Sequence, residues 1–408
     1  MHMKRLRHHF HKSTYLFCAL VLGTVLLNLA AWKSKTFSDW YIETVFPFVT
    51  APLSRLTSLV PFSVGEWLLL AAVLWVAFLL ILLAILGVNF IYHKLRFNIK
   101  KTYPKWIRYF LRFSLWLGEG IFLIMTLNCF ILYHATPIEE DLSGYGKEYT
   151  IAELGELRDY IVNQCNSLSQ EMPRDASGEI VYEGGTDAMA QEAAYSVNAL
   201  SLSASTNLNL ANQDHTEEKL DIPSLSRLSG WQATAKPLYF SDFVSQQNIQ
   251  GYYFPFSMEA NFNTQMKIMN QPFTMCHELS HTHGFIYEDE ANLIGFLACV
   301  HSDDIIFQYS GYLGVLNYVN NSFYENVDYS TYASHLSISK QVKFDNEFLS
   351  DESWEEVEED AVLPTETVKN ATDVYLDTTL KVNGVESGKA SYSHVVELLL
   401  QYYDGNYN

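Results

Sequence analysis

The chain has 408 residues and a net charge of −20, divided unevenly: residues 1–133 hold 14 Lys and Arg against four acidic residues, and residues 134–408 hold 12 against 42. Halves of +10 and −30 point to a membrane anchor followed by an acidic domain, and that domain repels nucleic acid, whose capture rests on Lys and Arg neutralising phosphates. The five cysteines show no CxxC spacing, so neither a disulfide framework nor a thiolate zinc site is indicated, and Cys276 and Cys299 read as buried small apolar residues rather than a disulfide.

Three segments are apolar and long enough for a bilayer crossing, which takes about 20 helical residues: Thr14 to Trp32, Trp67 to Tyr92 and Phe113 to Tyr133. The apolar part of the first exceeds that of a signal peptide, and no small-x-small cleavage site precedes Lys33, so it is expected to be retained. Lys4, Arg5, Arg7 and Lys12 precede it, and seven Lys and Arg lie in HKLRFNIKKTYPKWIRYFLR between the second and third segments. The positive-inside rule puts both stretches in the cytoplasm. Three crossings then place everything after about His134 outside, giving a three-span anchor over 1–136 and an extracytoplasmic domain over 137–408. Glu119, inside the third span between two glycines, is expected to face neighbouring helices or headgroups.

In the outer domain, Thr150–Gln170 has helical apolar spacing, with Thr150 and Glu153 placed as a capping box. Asp187–Leu200 reads as a second helix, and 171–186 and 202–235 read as loops. GYYFPFSMEANFNTQ (251–265) reads as one strand, and Pro255 within it argues for an edge position. Tyr309–Tyr324 and Tyr392–Tyr403 are expected to be helical, and the acidic run Ser350–Asp360 to be a solvated face.

Between that strand and those helices lies MCHELSHTHGFIYEDEAN (275–292). His277, Glu278 and His281 form HExxH. On a helix the two imidazoles, four residues apart, project from one face and can grip a cation, while Glu278 stands to one side, able to take a proton from an activated water. A catalytic zinc needs a third ligand and keeps one open position. Gly284 is expected to end the first helix in a left-handed conformation, with a second helix starting near Glu288. On that helix Glu288, Ala291, Asn292 and Gly295 share a face, small in the middle, which nominates Glu288 as third ligand and Asn292 as the partner of a histidine N–H. Glu290, on the far side, is the alternative ligand. His283 reads as packing, and His301 as a surface histidine. Glu259 and Asn261 on the strand are expected to shape the cleft, where a peptide substrate could add as a further strand.

These blocks resemble a known family. HELSHTHGFIYEDEANLIGFLAC, with PFSMEAN before it, YSGYLGVLNY after it and VNGVESG near the end, is similar to bacterial membrane proteins carrying the domain of unknown function 3810. The ExxAN element also looks like the third-ligand helix of gluzincin peptidases, although only six residues separate His281 from Glu288. The resemblance implies a zinc peptidase with His277, His281 and Glu288 as ligands and Glu278 as base. The expected protein is thus a three-span α-helical anchor with an α+β, mostly helical, zincin-like domain outside the cytoplasm. It is expected to hold one zinc per chain, act on peptide or protein and need no nucleic acid. The rival expectation is a zinc-binding membrane sensor that processes nothing.

Overall fold

The computed structural model describes residues 12–95, 104–206, 220–383, 385 and 393–407. Three of its helices are long and apolar enough to cross a membrane: α1 (Lys12–Lys33), α4 (Val64–Leu95) and α5 (Lys105–Met125), the last continued by a π-helical turn, Thr126–Phe130. Their side chains are mostly exposed. Polar contacts join the first and third: Thr24 donates to Glu119 Oε1 at 2.9 Å, and Asn28 Nδ2 donates to Thr126 Oγ1 at 2.7 Å. Glu119 is therefore buried between helices. Of the basic residues on which the orientation rests, Lys4, Arg5, Arg7, Arg96, Lys100 and Lys101 lie outside the described residues.

The stretch between the first two spans, read only as a connection, is helical. It forms α2 (Lys35–Trp40), a π turn (Tyr41–Val45) and α3 (Phe46–Thr57). Ile42 and Phe46 join Ile131, Leu132, Met258 and Ile286 in one buried cluster, so anchor and domain share a core.

The remaining helices make the domain. Helix α6 (Ile151–Leu168) has both halves of its capping box, formed by Thr150 and Glu153, and α7 (Gly185–Thr206) follows. After α8 (Ser241–Gln246) come α9 (Gln271–Thr282), α10 (Glu288–Val300) and α11 (Ile305–Asn326). Shorter peripheral helices are α12 (Tyr329–Ser334), α13 (Lys340–Asp345) and α14 (Asp351–Glu359), and the chain closes with α15 (Thr365–Val382) and α16 (Val395–Tyr403). The acidic run is α14, which buries Val357 alone and leaves its carboxylates in water.

The expected single strand over 251–265 is a hairpin. Pro255 sits in its turn, between β2 (Gly251–Phe254) and β3 (Glu259–Phe262), and β1 (Lys236–Pro237) completes a three-stranded sheet of order β1-β3-β2. β3 runs antiparallel to β2 and parallel to β1, so it is central and its backbone groups are paired on both sides. Proline removed only one donor, in the turn, where none was needed.

The Glu259 carboxylate fastens this sheet to the anchor. It accepts hydrogen bonds from the Val64 and Gly65 N–H groups at 3.1 and 2.8 Å, capping the N-terminus of α4, and pairs with Lys236 Nζ at 2.6 Å. Lys236 also donates to the Thr57 carbonyl at 2.6 Å, and both side chains are buried. Lys236→Met is therefore expected to cost about 3–5 kcal/mol by leaving a buried carboxylate without its counter-charge, whereas Lys236→Met with Glu259→Met recovers most of the loss. Thermal midpoints of the detergent-solubilised variants check this.

Candidate metal centre

Every residue of α9 is buried, although the helix carries two threonines, a serine, two histidines and a glutamate. The hydroxyls turn back onto the helix: Thr274 donates to the Asn270 carbonyl, Ser280 to that of His277 and Thr282 to that of Leu279, at 2.6–2.7 Å. His277, Glu278 and His281 are left to find partners elsewhere. A buried polar group without a partner is costly, so the surrounding elements must supply them.

They come from the turn and helix that follow. Gly284 adopts φ +93, a left-handed conformation that ends the helix and reverses the chain. This brings the Phe285 carbonyl to 2.6 Å from His281 Nδ1, and α10 begins at Glu288. Helix α10 then packs closely on α9 at Gly295. A Cβ there would lie 3.3 Å from the His277 amide nitrogen and the Phe273 carbonyl oxygen, tighter than packing normally allows. Gly295→Val is expected to cost about 1–3 kcal/mol by overpacking. Because His277 is what it would push, the spacing of the three donors should change as the thermal midpoint falls, and thermal melts of the detergent-solubilised variant check the stability loss.

Among the described residues His277, His281 and Glu288 form a group of metal-type donors whose ligand atoms lie within 4.8 Å of one another. His277 Nε2 is 3.2 Å from His281 Nε2, and Glu288 Oε2 is 3.2 Å from the first and 3.7 Å from the second. Zinc–nitrogen and zinc–oxygen bonds of about 2.0–2.2 Å in a tetrahedron give edges of about 3.3–3.6 Å, so this triangle has the size of one tetrahedral face. Further contacts orient the two rings. His281 Nδ1 donates to the Phe285 carbonyl, and His277 is held by the Asn292 side chain, which also bonds the Tyr318 hydroxyl on α11. Both Nε2 atoms face the Glu288 carboxylate. Two imidazole nitrogens and a carboxylate make a donor set that fits zinc.

The charges respond to one another accordingly. Burial acts to raise the Glu288 pKa, but hydrogen bonds from both histidines, and their charge, outweigh it and hold the carboxyl well below its usual range. Burial acts to lower His281, and the Glu288 hydrogen bond and charge lift it above the ordinary histidine range instead. His277 is lowered, chiefly by burial. Glu278 is pushed up to about 8 by burial, with the His281 charge opposing and that of Glu288 adding.

The other candidates fall elsewhere. Glu290 turns away from the cluster and accepts the Ile138 N–H at 2.7 Å, so it is no ligand in this geometry. His283 packs against the Arg227 carbonyl and Gln232 Oε1, beside a cavity of about 370 Å³ lined also by Thr50, Ser54 and Trp231. His301 is tied to the Leu297 carbonyl at 2.9 Å. The sulfurs of Cys276 and Cys299 lie 3.8 Å apart as free thiols.

Glu259 and Asn261 were expected to shape the cleft, and strand parity overturns this. Ala260 and Phe262 are the residues of β3 that join the core with Met275 and Leu279 of α9, so Glu259 and Asn261 point to the opposite face. Glu259 caps α4, and Asn261 Nδ2 donates to the Tyr252 and Glu259 carbonyls. From the sheet, the residues that do face the site are on β2, paired with Phe262 and Ala260: Gly251 and Tyr253. A Cβ at Gly251 would stand 2.7 Å from Glu278 Oε1, and the Tyr253 ring centroid is 5.7 Å from that of His281. A glycine opening a strand was the one available sequence signal for that contact. Tyr318 had none, being one of 26 tyrosines.

A family model described as "Protein of unknown function (DUF3810)" matches residues 41–400, which covers the metal-type cluster, two of the three apolar helices and nearly all of the domain. Comparison with curated proteins and with solved structures finds no match.

Proposed function

The chain belongs to the DUF3810 family, and from that premise and the geometry around α9 we propose that it is a membrane-anchored zinc metallopeptidase with a zincin-like, gluzincin-type centre that acts outside the cytoplasm. The observation that carries this reading is the triangle of His277 Nε2, His281 Nε2 and Glu288 Oε2, at 3.2, 3.2 and 3.7 Å, with Glu278 one residue from the first ligand. His277 and His281 would hold the metal through neutral ring nitrogens and Glu288 through its carboxylate. When bound, zinc supplies Lewis acidity, which activates a water and polarises a peptide carbonyl. Glu278 takes the proton from that water on its carboxylate and passes it to the leaving amine. The Asn292 side chain and the Phe285 carbonyl hold the two rings in place. The peptide would lie along β2, the strand next to Glu278 that has a neighbour on one side only.

Burial favours a second reading. His277, Glu278 and His281 are each less than a tenth exposed, which suits a zinc-binding sensor that turns nothing over. One experiment separates the two. The full chain in detergent should hold about one zinc per chain, cleave casein or a peptide library, lose both on 1,10-phenanthroline treatment and regain both with zinc. Bound zinc without cleavage of any peptide would favour the sensor, and no bound zinc would sink both.

A further inference from the structure

Helix α3 is built inside out for a protein in water. Its buried residues are Phe46, Thr50, Ser54 and Thr57, three of the four polar, whereas Phe48, Pro52 and Leu56 on the opposite side are exposed, Phe48 to 81%. The spacing of Phe48, Pro52 and Leu56, with Leu59 three residues further on, keeps one stripe in register with the helical turn. Leu59 is 78% exposed and Phe62 48%.

The same surface continues around the start of the second span. The Glu66 carboxylate accepts the Tyr239 and Phe240 N–H groups at 2.8 and 3.0 Å, which pins the 239–243 turn to the first turn of α4. Trp67 then lies 6.0 Å from the Tyr239 ring and 6.3 Å from that of Phe240. Tyr239, Phe243 and Trp67 are exposed, as are Trp32 at the end of the first span and Trp40 just after it. A ring of Trp, Tyr and Phe at span ends is the pattern of side chains that settle at headgroup depth.

The metal-type cluster sits close behind this surface. Gly65, in the first turn of α4, abuts Phe254 of β2, and Gly251, which abuts Glu278, is three residues away, about 10 Å at the strand rise. At the end of the third span, Asn128 donates to the Pro255 carbonyl at 2.7 Å and accepts from the Tyr253 hydroxyl at 3.2 Å. The turn at Gly284 faces Ile42, Phe46 and Leu132, and the Tyr287 hydroxyl donates to the Tyr133 carbonyl.

We infer that the face made by the outer stripe of α3, residues 59–62 and the 239–243 turn lies in the lipid headgroup layer on the domain's side of the bilayer. The metal centre is thereby set at membrane level, where it takes polypeptide segments adjoining a membrane anchor. The lipid contact stands on the exposed stripe and its continuity with the spans. The substrate class rests on the peptidase reading above.

Full-length chain in nanodiscs tests both parts. Phe48→Cys, Leu59→Cys and Phe243→Cys, each in a Cys18→Ser background because Cys18 is the exposed native thiol, would carry a bimane label. The control is Tyr329→Cys on α12, which packs on α11. Brominated lipid should quench the three test labels and spare the control. Quenching no greater than the control overturns the lipid contact. Labels shielded from both bromolipid and aqueous quencher would assign the face to a protein partner and also overturn it. The second arm uses one lipid-anchored peptide with its cleavable segment either next to the anchor or behind a Gly/Ser spacer of about 20 residues, roughly 25 Å in mean span. Cleavage of the short form at least as fast as the long one is expected, and cleavage of the long form alone overturns the substrate class. If neither is cleaved while zinc is bound, the peptidase reading fails together with the substrate class, and bromolipid quenching still decides the membrane contact.

Discussion

Glu278→Gln is expected to lower kcat/KM by about 10²- to 10⁴-fold, the usual contribution of a general acid–base, while about one zinc per chain is retained. Glutamine keeps the shape of glutamate and the contact with Gly251, so the fold around α9 has no reason to change. What it removes is a carboxylate that can hold a proton. Because burial pushes Glu278 up to about 8, neutralising this side chain relieves a desolvation cost, and the variant should be at least as stable as the parent. Loss of zinc in Glu278→Gln would mean that the glutamate is itself a ligand. Unchanged turnover would remove it from the mechanism. Metal analysis and peptide hydrolysis on the same preparation supply both readouts.

His281→Ala is expected to have the larger effect on the metal. Loss of a partner outside the ligand set commonly costs about 10–100-fold in affinity, and removal of one of three protein ligands should exceed that. Zinc content after dialysis should drop close to zero. The variant also strips the Phe285 carbonyl of its donor and leaves Glu288 facing one histidine, so the turn at 284–287 loses support. Two companions keep the result interpretable. Glu288→Ala should empty the site as well, whereas Glu290→Ala should keep zinc and show only the loss of its bond to the Ile138 N–H. Zinc retained in Glu288→Ala and lost in Glu290→Ala would reverse the ligand assignment.

The geometry of the cluster was readable in advance because it is local. Two histidines four apart on a helix share a face whatever surrounds them, and Gly284 closes that helix so that Glu288 starts the next. The small residues of the second helix indicated close packing, and Gly295 lies against the His277 backbone. Strand parity is not legible in the sequence, because nothing local marks Pro255 as a hairpin turn within 251–265. Once Pro255 is a hairpin turn, the residues facing α9 are Gly251 and Tyr253, and Glu259 becomes the cap of an apolar helix about 195 positions earlier in the chain. Nothing near Glu259 in sequence announces that partner.

The sequence by itself determined the three apolar helices, the capping box of α6, the family, and a helix–turn–helix that converges three metal-type donors. Each depends on hydrophobic length, helical period or a single glycine, and so on interactions within a few residues. Only the tertiary structure decided that residues 35–57 are helical and share a core with the domain, that Lys236 and Glu259 rivet the sheet to the second apolar helix, and that Tyr318 reaches the site through Asn292. These rest on contacts between segments far apart in the chain, where the energy lies in burying polar groups against partners that no local pattern names.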